Sequence, residues 1–92
     1  MVIRWTKRAL RNLAAVYEYI EFDNPRAASE TVSRLVDGVE MLARHPEMGR
    51  LGRTSGTREL ILSPYIVGYR VKRSEISVLA IIHGARKWPD VF

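Results

Sequence analysis

Apolar and polar positions along the chain change period three times, and each change marks an element. Val2 to Trp5 reads as a short strand, and Thr6 stands where an N-cap belongs. From Lys7 to about Phe22, Leu10, Leu13, Ala14, Tyr17 and Ile20 recur at three- and four-residue spacing, which predicts an amphipathic helix. Asn24-Pro25 restarts the pattern, asparagine as cap and proline at the first helical position. The second helix runs to about Arg44 on a stripe of Ala28, Val32, Leu35, Val39 and Leu42, with Val36 beside it, and His45-Pro46 ends it. Arg44 and His45 are expected at its negative pole, where cations are favoured. A link as short as Asp23-Asn24 forces an antiparallel helical hairpin. Gly38 costs ~1 kcal/mol against alanine in mid-helix, which predicts close helix–helix approach there.

Pro46 to Thr57 reads as a glycine-rich loop. Beyond it the period drops to two. Strands are predicted at Arg58–Leu62, Tyr65–Lys72 and Glu75–His83, joined by turns at Ser63-Pro64 and Arg73-Ser74 into an antiparallel meander. Tyr65, Val67, Tyr69 and Val71 share one face of the middle strand; Ile66, Gly68, Arg70 and Lys72 share the other. In the last strand Ile76, Val78, Ala80 and Ile82 alternate with Ser77, Leu79, Ile81 and His83; apolar on both faces, it is expected inside the sheet. The order β-α-α-β-β-β predicts an α+β fold, a helical hairpin on one face of a mostly antiparallel sheet. Residues 1–92 form a single domain, and no period marks the stretch from Gly84 to Phe92.

Composition narrows the chemistry. With 47% apolar residues, 27% charged and no cysteine, the chain is globular, and thiolate nucleophiles and sulfur-based zinc sites are excluded. Two histidines far apart make no metal pair, and no phosphate-binding or dinucleotide fingerprint occurs, so no metal and no cofactor are expected. No signal-like start and no apolar run of the ~20 residues a membrane span needs are present, so a cytoplasmic protein with no membrane partner is expected.

Fifteen Lys and Arg against ten Asp and Glu give a net charge of +5, which favours acidic partners. Arg4, Lys7, Arg8 and Arg11 crowd the start of the first helix and Glu18, Glu21 and Asp23 its end, against the helix dipole; this suggests a cationic patch kept for a partner. A second basic group comprises Arg50, Arg53, Arg58, Arg70, Lys72, Arg73, Arg86 and Lys87, with Arg70 and Lys72 on one strand face where Arg58 and the tail could join them. Glu59 could pair with Arg58 or Arg70, or serve as a general base. His83 is either a structural imidazole or a general base. Tyr65 and Tyr69 read as core residues with a hydroxyl at the rim, and Trp5 and Trp88 as anchors for the chain ends.

Two segments carry a resemblance: Thr57-Arg58-Glu59-Leu60-Ile61-Leu62-Ser63-Pro64-Tyr65-Ile66-Val67-Gly68-Tyr69-Arg70-Val71, and Ile81-Ile82-His83-Gly84-Ala85-Arg86-Lys87-Trp88-Pro89. With the opening Trp5-Thr6-Lys7-Arg8-Ala9-Leu10-Arg11-Asn12-Leu13 and His45-Pro46-Glu47-Met48-Gly49, the chain resembles the ParE/RelE superfamily, the toxins of bacterial type II toxin–antitoxin modules. The resemblance implies one of two activities. RelE-type toxins cut messenger RNA on the ribosome with basic residues and, in many members, a tyrosine near the C-terminus. The middle-strand arginine of that pattern falls on Ile66 and the tyrosine on Phe92, while Arg86 is kept. Losing a phosphate clamp and a hydroxyl is expected to cost several powers of ten in rate. A residual ribonuclease site would be Arg70, Arg86, His83 and Glu59, His83 and Glu59 forming the acid–base pair as in histidine-using members.

The strand Pro64 to Val71 looks more like ParE, whose members poison DNA gyrase by binding it. The resemblance to that branch implies a gyrase inhibitor that contacts its target through Arg86, Lys87 and Trp88. It also implies a cognate, ParD-like antitoxin with an acidic C-terminal segment, which is expected to supply an amphipathic helix, or a helix plus strand, to the apolar and basic surface that includes Arg4, Lys7, Arg8, Arg11, Arg58, Arg70 and Lys72.

Overall fold

Both helices begin where their caps stand. A computed structural model of the chain describes residues 1–84. The Thr6 hydroxyl accepts from the Ala9 N–H at 3.1 Å and opens α1 (Lys7–Glu21); the Asn24 carboxamide accepts from the Ala27 N–H at 3.1 Å and opens α2 (Pro25–Met41). Around them lie β1 (Val2–Trp5), β2 (Arg50–Leu51), β3 (Arg58–Leu62), β4 (Tyr65–Lys72) and β5 (Glu75–His83). The five strands form one sheet in the order β1-β5-β4-β3-β2, with β1 parallel to β5 and every other pair antiparallel. The α+β architecture and the interior position of the last strand are as expected.

The core lies between hairpin and sheet. Leu35, Val39 and Leu42 from α2 and Ala9 from α1 meet Leu60, Tyr65, Val67, Tyr69, Ile76, Val78 and Ile81 from the sheet, with Ile3, Trp5 and Leu13 packed at its margin. Ile66 and Ala80 form a smaller cluster with Ile82 on the opposite face.

Five details depart from the sequence pattern, each for a physical reason. First, the buried stripe of α1 is rotated: Leu10 is 51% exposed and Ala14 also faces out, while Ala9, Leu13 and Val16 face the core. Second, β5 carries an extra residue, Leu79, between the Gly68–Ala80 and Tyr69–Val78 pairs. The bulge reverses the alternation, so Ile76, Val78 and Ile81 all reach the helix-covered core. The two departures share a cause. The Thr6 hydroxyl donates to the Val78 carbonyl at 2.8 Å, and the Asn12 carboxamide accepts from the Ile81 N–H at 3.0 Å. Backbone groups that the bulge frees are thus taken up by α1, which fixes its rotation about its own axis.

Third, α2 ends at Met41, and Leu42, Ala43 and Arg44 follow as a tighter turn donating to carbonyls three residues back. Arg44 and His45 therefore stand beyond the last helical turn. Fourth, Gly38 faces the sheet and not α1: a Cβ there would meet Leu62 Cδ1 at 2.6 Å. Fifth, the segment read as wholly loop contains β2. Asn12→Ala is expected to orphan the Ile81 N–H and lower stability by ~1–3 kcal/mol in denaturant titration, with the helix content by circular dichroism unchanged.

Candidate functional site

Segment 46–53 is rich in glycine yet tied down along its length. Tyr69 is fully buried, and its hydroxyl donates to the Pro46 carbonyl at 2.8 Å while accepting from the Gly49 N–H at 2.9 Å. It therefore clamps the segment, where a hydroxyl at the rim had been expected. Burial, working against hydrogen bonding from Gly49, raises the Tyr69 pKa above its ordinary value, so the phenol stays protonated and able to donate. Arg58 Nη1 donates to the Gly49 carbonyl at 2.8 Å. Gly49 lies so close to the sheet that a Cβ would meet the Glu59 carbonyl oxygen at 2.8 Å.

Glu59 supplies the other half of the clamp. Its side chain is 5% exposed and accepts from Arg50 Nη2 at 2.9 Å, from the Arg53 backbone N–H at 3.0 Å and from Arg53 Nε at 3.2 Å. Burial opposes the charge, but the Arg53 N–H and the two guanidinium groups outweigh it and hold the pKa below the ordinary carboxylate value. The pairing expected with Arg58 or Arg70 does not form; Glu59 pairs with Arg50 and Arg53. A carboxylate so committed is a poor proton acceptor.

Strand alternation sorts the other candidates. Arg58 is opposite Tyr69 and so belongs to the helix-covered face, while Arg70 and Lys72 belong to the second face, so the expected grouping of Arg58 with them does not form. In register, Arg4, Ser77 and Arg70 make a row across three strands of that second face, and Val2, Glu75 and Lys72 the next. Arg4 reaches Glu75 at 3.7 Å. Arg4 is thereby separated from Lys7, Arg8 and Arg11 on α1, and the patch drawn from sequence falls into parts. His83 is opposite Tyr65, their rings edge-on at 5.6 Å between centroids. Arg70 lies five positions further along β4, about 17 Å away at the usual rise.

Arg86, Lys87 and Trp88, expected as target contacts, and Phe92 lie outside the described residues. Among the described residues no cluster of three or more His, Cys, Asp or Glu could hold a metal, and no helix is long and apolar enough to cross a membrane. The sequence missed the joint role of Arg50, Arg53 and Tyr69; the available signal was arginines alternating with glycines ahead of a strand whose single carboxylate is Glu59.

A family model described as "ParE toxin of type II toxin-antitoxin system, parDE" matches residues 3–88. Y4kP, a candidate toxin of Sinorhizobium fredii, is 46% identical over 91 residues, covering 97% of this chain and 94% of its own. Toxin RelE2 of Caulobacter vibrioides is 40% identical over 83 residues, covering 89% and 93%. Among solved structures, the "Chromosomal ParDE TA system from P. aeruginosa" superposes with a TM-score of 0.82 at 31% identity, over 90% of this chain and 95% of that one. The toxin–antitoxin complex RelBE2 of Mycobacterium tuberculosis superposes with a TM-score of 0.68 at 23% identity, over 89% and 95%, a likeness of fold.

Proposed function

The chain belongs to the ParE toxin family of type II toxin–antitoxin systems, and from that premise we propose that it arrests growth by binding DNA gyrase and is held inactive by a cognate antitoxin. Arg86, Lys87 and Trp88 are the proposed target contacts. The antitoxin is proposed to be ParD-like, acidic towards its C-terminal end, since the chain carries a net charge of +5.

One observation carries the choice of an inhibitor over a nuclease: the groups a ribonuclease would need stand apart. Glu59 is buried under two arginines. His83 belongs to the helix-covered face at one end of β5, and Arg70 to the opposite face near the other end of β4. No acid–base pair converges on a common point among them, and phosphodiester cleavage needs both groups within hydrogen-bond reach of the reacting atoms.

The test is expression without antitoxin, followed by supercoiling and messenger-RNA cleavage assays on the same preparation. Loss of gyrase supercoiling with intact transcripts is expected. Cut transcripts with supercoiling unaffected would overturn the reading. The name RelE2 on a 40% identical relative favours one second reading, ribosome-dependent messenger-RNA cleavage using Arg70, Arg86 and His83. His83→Gln separates the two: growth arrest is expected to persist undiminished, whereas a nuclease that relies on this imidazole would lose most of its cleavage.

A further inference from the structure

The edge of the sheet at β2 turns one residue's backbone groups outward. Gly52 donates its N–H to the Thr57 carbonyl at 2.8 Å, and Leu51 is in register with Arg58. In an antiparallel pair, bonded and non-bonded positions alternate, so Leu51 turns its own N–H and C=O away from β3. β2 is the last strand on this side, and that edge has no further strand among the described residues. The amides around Leu51 are committed elsewhere: Gly49 to the Tyr69 hydroxyl, Gly52 to Thr57, and Arg53 to Glu59. In the run from Gly49 to Arg53, one outward donor–acceptor pair is left, held in place by the Tyr69 and Glu59 clamps.

Its surroundings define what it fits. Leu51 is 77% exposed and Met48 is 43% exposed. Arg50 meets Glu59 through Nε and Nη2, which leaves Nη1 for a further acceptor on a side chain that is 58% exposed. Arg50, Arg53 and Arg58 outnumber Glu47 and Glu59 in this segment, and Arg70 Nε lies 3.9 Å from where a Cβ on Gly56 would stand. An amide offering both a donor and an acceptor beside bare leucine and methionine suits an extended peptide better than a phosphodiester, which has no strand to pair. A second copy of this chain would bring Arg50 and Arg53 against their own kind, and like charges across strands repel.

We propose that an extended segment of the antitoxin adds to this edge at Leu51, an apolar residue of that segment covering Leu51 and Met48 and a flanking carboxylate meeting Arg50. The proposal rests on the toxin–antitoxin reading. The geometry supplies a backbone pair for affinity and a cation beside an apolar spot for selection.

Amide hydrogen exchange on the full chain, alone and saturated with its cognate antitoxin, tests it. The Leu51 N–H is expected to exchange at least tenfold more slowly in the complex, whereas Gly52, already bonded, changes little. Leu51→Pro removes the outward N–H together with the exposed leucine side chain, both parts of the proposed site, and leaves the Gly52 N–H on the Thr57 carbonyl; it is expected to keep the thermal midpoint and weaken antitoxin binding at least tenfold in titration calorimetry. A complex of undiminished affinity in which Leu51 exchanges as before would overturn the docking site and leave the toxin–antitoxin reading standing. Failure of the unaltered chain to bind the antitoxin at all would overturn both. Protection of Leu51 in the chain alone that rises with its concentration would assign the edge to a second copy and overturn the proposal.

Discussion

Glu59→Ala is expected to lower stability by about 2–3 kcal/mol and the thermal midpoint by roughly 10–20 °C. Deleting one member of a buried ion pair costs ~3–5 kcal/mol when its partner stays buried. The cost is smaller here because the Arg50 and Arg53 side chains are 58% and 51% exposed and can rehydrate. The loss has two parts: the Arg53 N–H loses its acceptor, and two guanidinium groups, no longer screened by the carboxylate, repel each other across the loop. Glu59→Gln keeps the shape and separates charge from packing.

The pH dependence gives the sign. The folded pKa of Glu59 is depressed, so its contribution is fully present above the ordinary value of 4.5 and is lost as pH falls through the lower folded value. The gap in stability between the parent chain and Glu59→Gln, measured by urea unfolding, is expected to be constant near neutrality and to close in acid below about pH 4.5. A gap that persists undiminished at pH 3 would show that the carboxylate's charge is not what holds the loop.

What the sequence conveys and what it conceals divide along a physical line. Elements that repeat a period over several residues were legible: the strands from Arg58 to His83, both helix starts, and the interior place of β5. Family membership was legible too, because its motifs span nearly the whole chain. Features made by one residue acting across the fold were not. β2 is two residues long, too short for a period, and exists because Glu59 and Tyr69 hold the segment against β3. The bulge at Leu79 falls in a run apolar on both faces, where slipping the alternation by one leaves no mark; only Asn12, a polar residue beside the predicted stripe of α1, hinted at an unpaired partner. The basic patch failed as a unit because helical and strand neighbours in sequence project to opposite sides of the sheet, which parts Arg4 from Arg8 and Arg58 from Arg70.

The same loop yields the second large effect. Gly49→Ala is expected to cost ~3 kcal/mol, comparable with a severe core substitution, although one methyl is added. A Cβ would stand 2.6 Å from the Tyr69 hydroxyl and 2.8 Å from the Glu59 backbone oxygen. Tyrosine could swing away only by abandoning Pro46 and the Gly49 N–H, and the backbone of β3, paired on both sides, gives little. Tyr69→Phe, which orphans those same two groups, is expected to cost about 2 kcal/mol. Because both variants release one clamp, the double variant is expected to fall well short of their sum, and a double-mutant cycle by denaturant titration measures the coupling. Tyr69 adds an alkaline signature: its folded pKa is raised, so its contribution is intact below the ordinary value of 10.0 and is lost as pH climbs through the higher folded value. The stability difference between the parent chain and Tyr69→Phe is therefore expected to shrink above pH 10, where ionisation ends donation to Pro46; a difference that grows there would place the hydroxyl's worth elsewhere than in this clamp.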